Sequence, residues 1–489
     1  MAEPSAVVPK RPESIETRLY INGKFVESSD KKTFEIFNPA TLEKIADVAE
    51  ASEDDANAAV AAAKAAFPAW SALSPLQRGG YLKKLSGLVI EAIPELAYLE
   101  AISMGRPVIE YFEGFATAGA FSHYSEAGYE AQGTSSLNTP GFVNMTLRQP
   151  YGVTAGIIPW NVPVLFLANK SAPALIAGNT VVIKSSEKAP LTSAHFAHLI
   201  DKAGFPPGVF NIISGHGPIS GRVLSHHMDV RVLSFTGSGR TGRLVQEAAA
   251  KSNLKKVVLE LGGKSPAIIF EDADLEKAVP ETVRSIQFNS GQVCMANSRI
   301  YVHESIAPAF IEAFREQFAA SVKAGDPLSS TTNHGPQADK IQFDQVQAYI
   351  KAGKESATMV LGNESLGQDR GYFVSPTVFL DVPEDARVNK EEIFGPVVNI
   401  NTFKTEEEAI QKANDTEYGL YAAVYTKDLS RALRLATALE SGTVGVNCTS
   451  PVTAHDLPFG GYKGSGLGRE GLTVSIDNYL ETKTVLLKL

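Results

Sequence analysis

From about Val153 onward the chain alternates short apolar segments with amphipathic ones, and this alternation restricts its folding more than any other feature. VTAGIIP, NTVVIK, the helical stretch around TSAHFAHLIDKAG, VFNIIS, VRVLSFTG, the helical TGRLVQEAAAKS and KVVLEL follow one another up to Leu261. Strands spaced by helices pair in parallel, with the crossover helices on the sheet faces and ligand sites at the strand C-termini. A second run of the same kind begins near Ser265 with PAIIF, a helix from about Asp274 to Asn289, RIYV, the helix FIEAFREQFAASV, TVFL, VVNI and the helix TEEEAIQKANDT. The expected fold class is α/β with two parallel-sheet domains, and 489 residues have room for them.

Ahead of these runs, LYINGKFV reads as a hairpin turning at Asn22-Gly23, and two long Ala- and Leu-rich segments read as helices, the first capped by Ser52. Thr134–Gln149, set between two helical regions, and the tail KTVLLKL alternate as strands do. Isolated strands pair beyond their own domain, which points to a small interchain sheet.

A net charge of -9 offers no basic footprint for nucleic acid or an anionic membrane surface, so a small-molecule partner is expected. The two cysteines, Cys294 and Cys448, form no CxxC pair, and no His or Cys cluster has zinc spacing; neither a disulfide framework nor a metal site is expected. His195 with His198 and His226 with His227 lack a third ligand and read as surface or capping residues. The N-terminal MAEPSAVVPKRPESIETRLYING lacks the apolar core of a secretory leader, no apolar run is long enough to span a bilayer, and the final Leu-Lys-Leu is a weak peroxisomal tail. The expected location is the cytoplasm.

Taken singly, Cys294 in FNSGQVCMANSRIYV is a small hydrophobe like most lone cysteines. Its company changes that. VLELGGKSP puts Glu260 at the end of an apolar strand, where desolvation raises a carboxyl pKa toward the range of a general base. IIPWNVPVLFLANK puts Asn161 after another strand, where its amide can donate to an oxyanion. In FTGSGRTG, Gly237, Gly239 and Gly242 satisfy GxGxxG between a strand and a helix, a pattern that sets backbone amides against a pyrophosphate. The ordinary reading of that motif would give Glu260 to the adenosine ribose, and the pattern alone does not decide its role.

PWNVP, NTVVIKSSE, FTGSGRTG, LELGGKSP, FNSGQVCMANSR, KEEIFGPVV and PFGGYKGSGLGRE occur in the order found in the aldehyde dehydrogenase superfamily, and the resemblance runs from about Tyr20 to the end. It implies an aldehyde dehydrogenase-like fold of two Rossmann-like domains plus a small β oligomerisation element. Residues 1–130 and 150–261 become the NAD-binding domain, 262–470 the catalytic domain, and 131–149 with 471–489 the bridging segments of a homodimer or homotetramer. The resemblance makes Cys294 the nucleophile, Asn161 with the Cys294 amide the oxyanion hole, and Glu260 the base. Trp160, Lys184, Glu187, Gly237, Ser238, Gly242, Glu392 and Phe394 become the NAD contacts, with Lys184 and Glu187 at the adenosine ribose and Glu392 and Phe394 at the nicotinamide end. Lys170 and Glu470 match a proton path in some members, or form a structural ion pair. A carboxylate at Glu187 accepts from a ribose 2′-OH and repels a 2′-phosphate, so NAD is favoured over NADP.

Where this chain departs from the family, Val162 and Asn169 stand where aliphatic-aldehyde enzymes often carry Phe and Trp, which implies a wider, more polar tunnel. Phe121, Tyr124, Phe166, Met295 and Phe459 are candidates for its flat apolar walls, and the loop TSPVTAHDLPFGG resembles that of benzaldehyde, vanillin and salicylaldehyde dehydrogenases. The expected substrate is an aromatic or medium-sized apolar aldehyde. Cys448 is read as packed, or as lying near the tunnel mouth.

Overall fold

The computed structural model describes residues 7–362, 366–454 and 456–489; residues 1–6 of the segment read for a leader, and His455 of the TSPVTAHDLPFGG loop, lie outside them. The first apolar run forms a parallel sheet in the spatial order Lys256–Glu260, Val230–Thr236, Val153–Ile157, Thr180–Lys184, Phe210–Ile213. Thr180–Lys184 is buried at every position, which explains its unbroken Val/Ile character. The chain leaves Val153–Ile157 to one side and returns on the other with Val230–Thr236, so a crevice opens at the C-termini of these two strands.

Antiparallel strands finish both edges of this sheet. Leu19–Ile21 and Lys24–Val26 form the hairpin, with Tyr20 opposite Ile212, and its turn has Asn22 at φ 54° and Gly23 at φ 72°, the left-handed pair that a two-residue hairpin needs. At the other edge, Gly466–Leu467 lies beside Leu259 and Glu260.

The second run forms a seven-stranded sheet in the order Thr358–Leu361, Thr377–Leu380, Val397–Phe403, Arg299–His303, Pro266–Ile269, Tyr421–Tyr425, Thr443–Val446, parallel except for its first strand. The two bridging strands do not wait for another chain: Phe142–Pro150 and Leu480–Lys488 pair with each other along their whole length, with Ser135–Ser136 beside the first. Leu137, Leu147, Leu486 and Leu487 remain exposed on or beside this small sheet.

Helix ends follow local chemistry. Ser52 and Asp55 form a capping box at the start of Glu53–Ser71, and Pro75–Met104 begins at the Ser74–Gln77 box and stops at Gly105, φ 81°. The helix expected to reach Asn289 covers Leu275–Gln287 instead, because Asn289 and Ser290 turn to φ 49° and 55°. Pro163–Ile176 is a helix that no periodicity announces: it has prolines at 163 and 173 and is buried nearly all round. No helix among the described residues is long and apolar enough to cross a membrane.

Candidate active site

The C-terminal end of the first sheet meets the turn that follows Leu275–Gln287, and the residues expected to react come together there. Glu260 ends its strand with 2% exposure, and neither carboxylate oxygen has a hydrogen bond of good geometry. Burial pushes its pKa up to about 8; the adjoining Cys294 thiol and, more weakly, the Lys170 ammonium pull it down, while the Glu470 and Glu392 carboxylates add to the rise. The half-buried Cys294 thiol is itself held well above the usual range by burial and by the Glu260 and Glu392 carboxylates, and is drawn down slightly by its own backbone N–H. The Glu260 carboxyl therefore lies beside the Cys294 thiol.

Asn161 lies in the loop between Val153–Ile157 and Pro163–Ile176, and its Nδ2 donates to the Gln292 carbonyl at 3.0 Å. An amide nitrogen carries two hydrogens, so one is fixed on this carbonyl and the other remains for a ligand. Asn289 Nδ2 donates to the Asn161 carbonyl at 3.2 Å, and Gln292 bridges to Asn289, Pro336 and Ala338. The turn before Cys294 and the Asn161 loop are thus tied together in both directions.

Behind Glu260, Lys170 donates to Glu470 Oε1 and to Ser234 Oγ, both at 2.9 Å, and Ser234 donates to the same Glu470 oxygen at 2.8 Å. Lys170 and Glu470 thus form a buried ion pair with Ser234 as its third member.

The expected cofactor residues follow the C-terminal ends of the strands and the loops beyond them. Ser238 caps the helix Gly239–Lys251, whose first-turn amides open toward solvent as at any helix start. Gly242 faces Leu261 so closely that a Cβ would lie 2.7 Å from its Cδ2, and Gly237 donates its N–H to the Glu260 carbonyl at 3.1 Å. Lys184, 2% exposed, donates to the Ser185 carbonyl at 2.9 Å; burial pulls its pKa down and the Glu187 carboxylate opposes this. Glu392 accepts from the Gly263 N–H at 2.9 Å and packs so tightly on Gly262 that a side chain there would collide with it. Burial lifts the Glu392 pKa to about 7 and drops that of Lys264, whose Nζ lacks a hydrogen bond, to about 7. Trp160 and Phe394 meet edge to face at 5.3 Å, joining a loop of the first sheet to one of the second. An open capped helix start, a Lys and Glu at a strand end, and a carboxylate seated on paired glycines fit a dinucleotide.

Other expectations fare unevenly. Phe121, Tyr124 and Phe166 belong to the main core, whereas Met295, Phe459, Val162 and Asn169 each keep partial exposure. Cys448 is half-buried. His195 is buried and pairs with Glu95 at 3.1 Å, so it is neither a surface nor a capping residue; His198 meets Glu16 at 3.0 Å. Ser234, Gln292 and Lys264 escaped the sequence reading; the tight spacing of Gln292 to Cys294 was the one signal available.

The model of the aldehyde dehydrogenase family matches residues 25–485. An aldehyde dehydrogenase of Alternaria alternata is 46% identical, covering 97% of this chain and 95% of its own, and retinaldehyde dehydrogenase 3 of Mus musculus is 44% identical over 97% and 93%. Among solved structures, a mutant indole-3-acetaldehyde dehydrogenase of P. syringae, in complex with NAD+ and IAA, superposes with a TM-score of 0.95 at 40% identity, covering 97% of each chain.

Proposed function

This chain belongs to the aldehyde dehydrogenase family and is an oxidoreductase acting on aldehydes, and from that premise we propose that it oxidises an aromatic or medium-sized apolar aldehyde to the carboxylic acid through a thioester on Cys294, with NAD as acceptor. The observation that carries this reading is the Glu260 carboxyl adjoining the Cys294 thiol, with the Asn161 amide tied by one N–H to the turn before that cysteine and its second N–H left for a ligand.

Glu260 takes the thiol proton as Cys294 Sγ adds to the carbonyl carbon, forming a thiohemiacetal. The oxyanion is held by the free Asn161 N–H and the Cys294 backbone N–H. Lys184, Glu187, Gly237, Ser238, Gly242, Trp160, Glu392 and Phe394 would hold NAD, which when bound supplies the acceptor for the hydride. With the thioester formed and the thiol proton passed from Glu260 to solvent, the carboxylate draws a proton from water, whose oxygen attacks the thioester carbon, and returns that proton to the departing sulfur, freeing acid and thiol. A base at this position favours water over coenzyme A as the acyl acceptor.

The substrate class rests on Val162 and Asn169 in place of larger aromatics, on the partly exposed Met295 and Phe459, and on relatives named for retinaldehyde and indole-3-acetaldehyde. The NAD preference rests on Glu187. We further propose a homodimer or homotetramer built on the sheet of Phe142–Pro150 and Leu480–Lys488, and a reducing compartment such as the cytoplasm, since both cysteines are free.

The test is NADH formation by wild type and Cys294→Ala across aliphatic, benzylic and cinnamyl aldehydes, without coenzyme A and repeated with NADP. We expect turnover that vanishes in the variant, kcat/KM at least about tenfold higher for benzylic than for two-carbon aldehydes, and a similar preference for NAD. Turnover surviving in Cys294→Ala, or requiring coenzyme A, sinks the mechanism; equal rates across the panel sink the substrate class.

A further inference from the structure

Three charged residues with no part in the steps above lie buried against the two loops that carry them out. Glu100 and Glu113 are 0% exposed and Arg106 is 2% exposed. Arg106 Nε donates to Glu113 Oε1 at 2.6 Å, its other nitrogens donate to the carbonyls of Pro107 and Glu110, and its guanidinium lies 4.5 Å from the centre of the Phe288 ring. Glu100 Oε1 accepts from the Val164 N–H at 3.2 Å, while Oε2 and the neighbouring Tyr111 hydroxyl have no hydrogen bond of good geometry.

Burial and the Glu113 carboxylate beside it push the pKa of Glu100 well up, toward a neutral acid. Such a buried cluster stabilises a fold no more than well-packed apolar side chains would, so its use lies in orientation. Its two contacts are informative. Val164 is in the first turn of the helix that follows Asn161, and Phe288 opens the left-handed turn that leads to Cys294.

We propose that Glu100, backed by the Arg106–Glu113 pair, is a positioning residue that holds the start of Pro163–Ile176, and with it the Asn161 amide, in register with the turn carrying Cys294. This rests on the roles of Asn161 and Cys294 set out above. Glu100→Gln keeps a neutral acceptor for the Val164 N–H, whereas Glu100→Leu fills the space without one and Glu100→Asp withdraws the carboxyl by a methylene.

The experiment measures kcat, KM for aldehyde and for NAD, and melting temperature for these variants, alone and combined with Asn161→Ala. We expect Glu100→Gln to stay within about twofold of wild type, and Glu100→Leu and Glu100→Asp to lose about tenfold to a hundredfold in kcat with KM for NAD unchanged. In the Asn161→Ala background the same substitutions should cost under about twofold more, because residues acting through one group are not additive. If Glu100→Leu does not fold, Glu100→Asp decides. Folded Leu or Asp variants with wild-type kcat, or penalties that add in full to Asn161→Ala, overturn the inference. A wild type inactive toward aldehydes, or turnover independent of Cys294, instead removes the reading beneath it.

Discussion

Under the proposed mechanism Glu260 must be buried to lie against the sulfur and anionic to accept a proton, and these demands oppose each other. With its pKa near 8 rather than 4.5, kcat should rise about tenfold per pH unit until it levels near pH 8. The stability sign follows from the same shift. The folded state binds this proton more tightly than the unfolded chain, so the contribution is full below about pH 4.5 and is lost as pH rises from there to about 8. Glu260→Gln cannot ionise; it should match wild type near pH 4.5 and exceed it by a few kcal/mol at pH 8 to 9, while turnover falls about 10²- to 10⁴-fold. Denaturation and steady-state rates across this pH range check both; wild type and variant melting in parallel at every pH would refute the burial argument. Glu260, Cys294 and Asn161 were legible because each sits in a contiguous motif. Ser234 and Gln292 were not, since their partners Lys170 and Asn161 lie 64 and 131 positions away, and a string of letters carries no sign of such a meeting.

Among elements, the close approach of Gly239–Lys251 to its sheet is where a single atom matters most. Gly242→Val should force Leu261 and the helix apart, costing about 1–3 kcal/mol and weakening NAD binding at the Ser238 end. As a control, Gly80→Ala lies in the helix Pro75–Met104 with no atom within 4 Å of the new Cβ, and should stabilise by up to about 1 kcal/mol. Calorimetry with NAD titration checks the pair, and a neutral Gly242→Val would show that the helix has room to move. Elements with caps and amphipathic faces, such as Glu53–Ser71, read directly from the sequence. Pro163–Ile176 did not: burial on every side erases the period that a helix otherwise displays, and its prolines look like breaks although one starts the helix.

For the whole molecule, the small sheet of Phe142–Pro150 and Leu480–Lys488 turns exposed leucines outward without a covering layer. A second copy of the chain is the expected cover, so Leu147→Glu with Leu486→Glu should shift the solution mass from dimer or tetramer toward monomer while leaving the fold intact. A monomeric wild type, or an unchanged mass in the double variant, removes this assignment. Pairing within the chain was not legible, because Phe142–Pro150 and Leu480–Lys488 are far apart in sequence and share only their alternation. The strand Gly466–Leu467 brings a different consequence. It crosses back to the first sheet to cover Leu259 and Glu260, and Ser465 ties in by donating to the Gly262 carbonyl at 2.7 Å. A ribosome making this protein must therefore add some two hundred residues after Glu260 before that edge closes. Nascent chains arrested after Leu457 should be cut by protease near Lys256–Glu260 where chains extended past Leu467 resist; equal protection would show the edge closes without its late partner. Until then Cys294 has already been synthesised while the strand edge at Glu260 stands uncovered, so the surroundings of that carboxyl are completed by one of the last segments to be made.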